Sequence, residues 1–132
     1  MNATARDVLA TKNSAVVFTC APETSVREAA RMMRDRRVGA LVVVRDAEVQ
    51  GLVSERHVVD RVVAEGLDPA AACVGDVMER DVATVPLDAG CGEVEALLRR
   101  RKVRYVPVVG PRGLLGMISL GDIARYHAAR AR

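Results

Sequence analysis

Two short segments of the chain place a serine three residues before a side chain that can accept hydrogen bonds. Ser119 is followed by Asp122, and Ser54 is followed by His57. This spacing predicts the start of a helix, with the serine as N-cap and its partner at position N3. A helix N-terminus attracts phosphate, and a carboxylate at Asp122 could accept both hydroxyl groups of a ribose. The same pair could also be a capping device that binds no ligand.

The histidine makes the first segment chemically different from the second. A neutral imidazole offers one acceptor and one donor, so His57 cannot accept two hydroxyl groups as Asp122 can. Asp60 lies one turn further along the predicted helix, too far to take its place. We therefore expect one good anchor per chain, at Asp122, and a doubtful one at His57.

Both segments belong to an internal repeat, and such a repeat determines the fold. The aligned pairs, 65 residues apart, include Gly51 with Gly116, Ser54 with Ser119, and Val43-Val44 with Val108-Val109. Short segments of similar shape, at 6–9 and 75–78, precede the two copies. The sequence therefore predicts two tandem units, residues 1–66 and 67–132.

Each copy has the order strand, helix, strand, strand, helix, which predicts an α/β fold of the α+β kind. In the first copy we expect strands at 16–20, 41–44 and 49–53, a helix from a Ser25–Glu28 capping box, and a helix from Ser54. In the second copy we expect a first helix at 91–98, strands at 106–109 and 114–118, and a helix from Ser119.

The composition is that of a globular protein. The 132 residues are 50% hydrophobic and 28% charged, with a mean hydropathy of +0.10. This excludes disorder and low complexity. The longest apolar stretch is far shorter than the roughly 20 residues of a membrane-spanning helix. Because no secretory signal opens the sequence, we expect the protein in the cytoplasm.

Nothing in the sequence indicates a catalytic or metal site. Cys20, Cys73 and Cys91 form no Cys-x-x-Cys motif, and neither His57 nor His127 neighbours them, so we expect free thiols and no metal. No nucleophile–base arrangement or paired-carboxylate motif occurs, which favours a binding protein over an enzyme. The net charge of +3 keeps a nucleic-acid-binding module as an alternative. The aromatic content of 2% speaks against it, because it provides no platform on which bases could stack.

The duplicated pattern resembles the tandem pair of cystathionine-β-synthase (CBS) domains found in small stand-alone bacterial proteins. The resemblance rests on the Gly-x-x-Ser-x-x-Asp-like segments at 51–57 and 116–122, and on Val-x-x-x-Pro-Val-Val at 103–109. It implies two repeats packed about a pseudo-twofold axis, with clefts that bind AMP, ADP, ATP, NAD or S-adenosylmethionine. It also implies a regulatory sensor that signals occupancy to a partner or to its own oligomer, with no catalytic cofactor.

The resemblance further implies which residues contact the ligand. Asp122 would hold the ribose, Ser119 would contact ribose or phosphate, and small residues of the first copy would accept the adenine. The predicted set is Thr19, Val38, Gly39, Ala40, Ser119 and Asp122, with Arg104 and Arg56 as candidates for the phosphate. The doubtful second site would combine Thr84 and Tyr105 with Ser54 and His57, and the bulk of Tyr105 and the neighbouring Arg104 would narrow its cleft.

The second helices of the two copies predict self-association. They carry more apolar surface than the covering of one sheet requires, and exposed apolar patches indicate partners. These residues are Val58, Val59, Val62 and Val63 in the first copy and Ile123 and Ala124 in the second. Pairing of two chains through these helices is also what the resemblance implies, so we expect a homodimer, parallel or antiparallel. A structural dimer with non-functional clefts remains an alternative, and the sequence names neither the nucleotide nor the downstream protein.

Overall fold

The computed structural model describes residues 2–12 and 18–131. In chain order its elements are α1 (Ala5–Thr11), β1 (Thr19–Cys20), α2 (Val26–Arg36), β2 (Ala40–Arg45), β3 (Glu48–Ser54), α3 (Glu55–Val58), a π-helical segment (Val59–Val63), α4 (Val74–Val77), α5 (Cys91–Arg101), β4 (Tyr105–Gly110), β5 (Gly113–Ser119) and α6 (Leu120–Arg130). The mixture of helices and strands confirms the predicted α+β class. The predicted strand at 16–20 is described only from residue 18, because residues 16 and 17 lie outside the described residues.

The described residues divide into two compact units. The continuous unit contains residues 18–82, and the split unit contains residues 2–12 and 83–131. These bounds differ from the sequence repeats at 1–66 and 67–132, because the helix before each repeat packs with the other repeat. In the split unit Val8 of α1 is 1% exposed, and in the continuous unit Val74 of α4 is fully buried. Each short helix buries apolar side chains in the core of the unit that it joins.

The continuous unit is built on a three-stranded sheet. Strand β2 lies between β1, which is parallel to it, and β3, which is antiparallel. Leu41, Val42 and Val43 of β2 are fully buried, which confirms the buried strand predicted at 41–44. The N-cap Ser25 accepts a hydrogen bond from the Glu28 N–H at 3.1 Å. Only this half of the predicted capping box forms at α2.

The split unit has a smaller sheet. Strands β4 and β5 form an antiparallel hairpin, and a single parallel bridge from Val85 to Val108 stands where a third strand was predicted. Val85 donates to Pro107 O at 3.1 Å and accepts from Val109 N–H at 2.9 Å. The core beneath the hairpin includes Leu98 of α5 and side chains of α1 and α6.

The four valines predicted as apolar surface on the second helix of the first copy divide between the core and the solvent. Val62 is fully buried and Val58 packs against the core of its unit, whereas Val59 and Val63 are 56% and 67% exposed. In the second copy Ile123 is likewise buried. The valines divide because only the inner side of α3 and the π-helical segment packs against the core of its own unit.

Candidate functional site

The split unit contains the predicted cap at the N-terminus of α6. Ser119 ends β5 in an extended conformation, with φ −115° and ψ 167°, and its Oγ accepts the Asp122 N–H at 3.1 Å. In return, Asp122 Oδ2 accepts the Ser119 N–H at 2.9 Å. This confirms Ser119 as the N-cap and Asp122 as its N3 partner. The reciprocal bonds orient the carboxylate at the start of an 11-residue helix.

Two cations hold the Asp122 carboxylate from outside the cap. Lys12 donates from Nζ to Asp122 Oδ2 at 3.0 Å and to Met117 O at 2.7 Å. Arg125 donates from Nη2 to Oδ1 at 2.7 Å. The Asp122 side chain is 11% exposed, that of Lys12 30% and that of Arg125 74%. Burial is the largest influence on the pKa of Asp122 and opposes ionisation, but the bonds from Ser119, Lys12 and Arg125 outweigh it and lower that pKa.

Sequence reasoning missed Lys12. The residue follows α1, more than 100 positions before Asp122 in the chain, and no motif connects the two. The only hint is that Lys12 is one of two lysines, Lys12 and Lys102, in a chain that otherwise uses arginine. Packing of α1 against β5 and α6 brings the ammonium to the cap.

The continuous unit contains a matching cap with different chemistry. Ser54 has φ −123° and ψ 168°, and its N–H donates to His57 Nδ1 at 3.1 Å. The His57 N–H donates back to Ser54 Oγ at 3.3 Å. Because Nδ1 accepts, a neutral imidazole carries its proton on Nε2. Burial, followed by the charge of Arg61, lowers the pKa of His57, whereas Glu79 and Asp60 act in the opposite direction.

Arg61, one turn after His57, forms hydrogen bonds with residues at the end of α4. Arg61 donates to Val77 O at 2.9 Å, to Met78 O at 3.1 Å and to Glu79 Oε1 at 3.2 Å. Arg56, the predicted candidate for a phosphate contact, has a side chain that is 85% exposed and pairs with Asp60 at 3.2 Å. Asp60 is thus engaged with Arg56 on the outer side of the helix.

The remaining predicted residues are distributed over both units. In the continuous unit Ala40 is opposite Ser54 in the β2–β3 register, and Gly39 O accepts the Glu55 N–H at 3.0 Å. Thr19 pairs with Val42, and Val38 packs against the core. The structure therefore brings Gly39 and Ala40 beside the Ser54–His57 cap.

In the split unit Tyr105 is opposite Ser119 in the β4–β5 register and is partly buried. Arg104 and Thr84 are exposed. Two of the predicted combinations join residues of both units and stay predictions. One is Asp122 with Val38, Gly39 and Ala40, and the other is His57 with Arg104 and Tyr105.

The other sequence expectations concern metals, thiols and membranes. Within residues 2–12 and 18–131, no group of three His, Cys, Asp or Glu side chains could hold a metal ion. The three cysteines are free, with Cys20 and Cys91 buried and Cys73 half-buried. Burial raises the pKa of Cys20 to about 11, so its thiol stays protonated. No described helix is long and apolar enough to cross a membrane.

Comparison with known proteins shows that two segments of the chain match the same family. The model of the CBS domain matches residues 5–64 and 74–129. Hypoxic response protein 1 of Mycobacterium tuberculosis is 33% identical over 125 residues, which are 93% of this chain and 84% of that protein. The mitochondrial CBS domain-containing protein CBSX3 of Arabidopsis thaliana is 32% identical over 111 residues, which are 80% of this chain. The chain spans 54% of that plant protein's length.

Solved structures share the fold closely. A protein with CBS domains from Burkholderia ambifaria MC40-6 has a TM-score of 0.91 and 27% identity, covering 98% of this chain and 97% of that one. The CBS domain pair of protein MJ0100 has a TM-score of 0.84 and 20% identity, covering 98% and 99%. That pair was crystallised in complex with 5′-methylthioadenosine and S-adenosyl-L-methionine.

Proposed function

The chain belongs to the CBS-domain family, and from that premise we propose that it is a regulatory module that binds an adenine nucleotide with Asp122 as the ribose anchor. CBS pairs are regulatory modules, and the occupied state would be signalled to a partner protein or through the oligomer. AMP, ADP and ATP are the proposed ligands. We propose recognition rather than turnover as the chemistry of the site, because the hydrogen bonds of Asp122 form a helix cap and two ion pairs.

The cap at the start of α6 is the observation that carries this proposal. Its carboxylate is ionised at neutral pH and is oriented before any ligand arrives. Binding therefore costs little additional conformational entropy at this side chain. A ribose diol donates two hydrogen bonds, which an ionised carboxylate accepts well. Arg125 is the partner most easily displaced by such a ligand, because its side chain is 74% exposed and an exposed ion pair is weak.

The adenine contacts are proposed on the resemblance alone. Thr19, Val38, Gly39 and Ala40 belong to the continuous unit, and their participation in the Asp122 site is a prediction. The bound adenosyl groups of the MJ0100 pair support the proposal at the level of the fold. At 20% identity they do not identify the ligand of this chain.

Calorimetric titration with AMP, ADP, ATP, adenosine and S-adenosylmethionine tests the proposal. Wild type should bind an adenine nucleotide with about one strong site per chain. Asp122→Ala should lose more than tenfold in affinity, because charge-assisted hydrogen bonds are each worth roughly 1.5–3 kcal/mol. His57→Ala is the matched control, since it alters the equivalent cap. Unchanged affinity in Asp122→Ala together with lost binding in His57→Ala would identify His57 as the anchor instead.

The exposed valines support a proposal that two chains associate. Val59 and Val63 are one turn apart on the π-helical segment, and Leu67 nearby is 47% exposed. Water-exposed apolar groups of this size gain free energy on burial, and a homodimer would provide that burial. The partner would be a second copy of this chain, as the family resemblance implies.

A charge on this apolar surface tests the proposed dimer. Light scattering should report a dimer at micromolar concentration for wild type and a monomer for Val59→Glu/Val63→Glu. Leu115→Glu is the control, because Leu115 is 44% exposed but lies on β5. A monomeric wild type, or an equal effect of the control, would overturn the dimer through this surface.

A further inference from the structure

Lys12 places a positive charge against the proposed ribose anchor. Its Nζ contacts both Asp122 Oδ2 and Met117 O, so two of the three ammonium donors are used and the side chain has a defined position. The exposed Arg125 adds a second positive charge, but one that solvent screens more strongly. Asp122, Lys12 and Arg125 together carry one net positive charge.

The other cap has no such excess. His57 is neutral when Nδ1 accepts from Ser54, and the charged groups that influence it are Arg61, Glu79 and Asp60. Glu79 pairs with Arg61, and Asp60 pairs with Arg56. The charges around His57 therefore compensate one another, whereas the Asp122 cap has one positive charge in excess, and removal of Lys12 would abolish that excess.

The sign of this charge matters for an adenosyl ligand. When a carboxylate holds the 2′ and 3′ hydroxyls, the group on the 5′ carbon stays within about one Debye length, roughly 8 Å at physiological ionic strength. A 5′-phosphate is attracted by the cationic cap, and a 5′-sulfonium is repelled. The ribose itself is neutral, so adenosine serves as an internal reference.

We propose that Lys12 is a specificity-determining residue that makes the Asp122 site select phosphate-bearing adenosyl ligands over cationic ones such as S-adenosylmethionine. The inference rests on the proposed function, because it names the ligand class of the same site. Lys12 acts through its charge next to the carboxylate. Its bond to Met117 O holds it there whether or not a ligand is bound.

The affinities of AMP, adenosine and S-adenosylmethionine test this role. Lys12→Gln keeps a donor for Met117 O and removes the charge, and should lower the ratio of AMP to adenosine affinity by about five- to tenfold. The ratio of S-adenosylmethionine to adenosine affinity should rise. Lys12→Arg should restore both ratios. Arg61→Gln is the matched control, since Arg61 also joins backbone carbonyls to a carboxylate but lies at the other cap.

Each outcome separates the two proposals. If Lys12→Gln binds all three compounds with unchanged ratios, or weakens all three equally, Lys12 does not set specificity while the binding function stands. If wild type binds none of the three, the proposed function fails and the inference falls with it. Should Lys12→Gln not fold, the wild type still decides. Its preference for AMP over adenosine must weaken as salt rises, and a salt-independent ratio overturns the inference.

Discussion

The caps at Ser54 and Ser119 have the same backbone geometry and opposite electrostatics. In both, the serine is extended, its hydroxyl accepts from position N3, and the N3 side chain accepts in return. At Asp122 that side chain is an anion held by Lys12 and Arg125. At His57 it is a neutral ring whose second nitrogen is a donor. The repeat therefore preserves the folding role of the cap, while the identity of the N3 residue decides whether the cap presents the carboxylate that the proposed ribose contact requires.

Substitution of the glycines before the two caps should produce the largest difference in stability between the two units. A Cβ at Gly51 would lie 2.6 Å from the backbone oxygen of Glu79, whereas one at Gly116 would meet Leu9 Cδ2 at 2.7 Å. Leu52 and Glu79 exchange backbone hydrogen bonds of 3.0 and 2.8 Å beside Gly51, so the Glu79 oxygen cannot move freely. Gly51→Ala should lower the free energy of unfolding by about 3 kcal/mol and Gly116→Ala by about 1 kcal/mol.

Urea denaturation of both alanine variants measures this difference. The Leu9 side chain can rotate away from a new methyl group, which is why the smaller loss is expected for Gly116→Ala. Equal losses would show that the two strand ends are equally constrained and that the flexible neighbour provides no relief.

Removal of the N3 side chains should separate the caps next. Asp122→Ala removes the acceptor for Ser119 and leaves Lys12 without its carboxylate, so we expect a loss of about 2 kcal/mol. His57→Ala removes one neutral acceptor and should cost about 0.7 kcal/mol. Thermal or urea unfolding gives both values. If the two losses agree, the ion pairs at Asp122 add nothing to the stability of the cap.

His57→Asp would make the caps alike. A carboxylate at a helix N-terminus is favourable, and Arg61 is close enough to attract it, although Glu79 and Asp60 oppose the added charge. We expect stability to rise by about 0.3 kcal/mol at neutral pH. Calorimetry should show nucleotide stoichiometry rising from one toward two per chain if ribose coordination alone is missing. A stoichiometry that stays at one would mean that the cleft is closed sterically, as the bulk of Arg104 and Tyr105 predicts. Two sites already in wild type would instead show that His57 is an adequate ligand partner.

The smallest expected difference is in pH dependence. The pKa of His57 is lowered by burial, so the folded protein binds its proton less readily than the unfolded chain does. Its contribution is complete above about pH 6.5 and is lost as pH falls through the folded pKa. The pKa of Asp122 is also lowered, so its contribution persists to about pH 4 and is lost below that value.

NMR titration of His57 in a His127→Gln background isolates the first of these two transitions, because the chain has only two histidines. An apparent pKa at or above 6.5 would contradict the lowered value. In that case His57 should cause no fall in the free energy of unfolding just below pH 6.5.

The sequence alone determined most of the strands and longer helices and the position of both caps. Local patterns suffice for these, since a serine followed by an acceptor at N3 satisfies the N–H groups of its own helix, and the apolar run of β2 requires burial wherever it lies. The sequence-predicted site residues are a different matter. They were assigned from the resemblance, and the structure establishes only those neighbours that share a unit, such as Ala40 with Ser54 and Tyr105 with Ser119.

Only the tertiary structure decided which charges meet at the anchor. The Lys12–Asp122 pair joins residues 110 positions apart, and it forms because α1 packs with the second repeat rather than the first. Likewise, only packing showed that Val62 is buried while Val59 and Val63 face solvent. Long-range contacts of this kind depend on which elements cover one another's apolar surfaces. The local spacing of residue types does not indicate which elements will pack together.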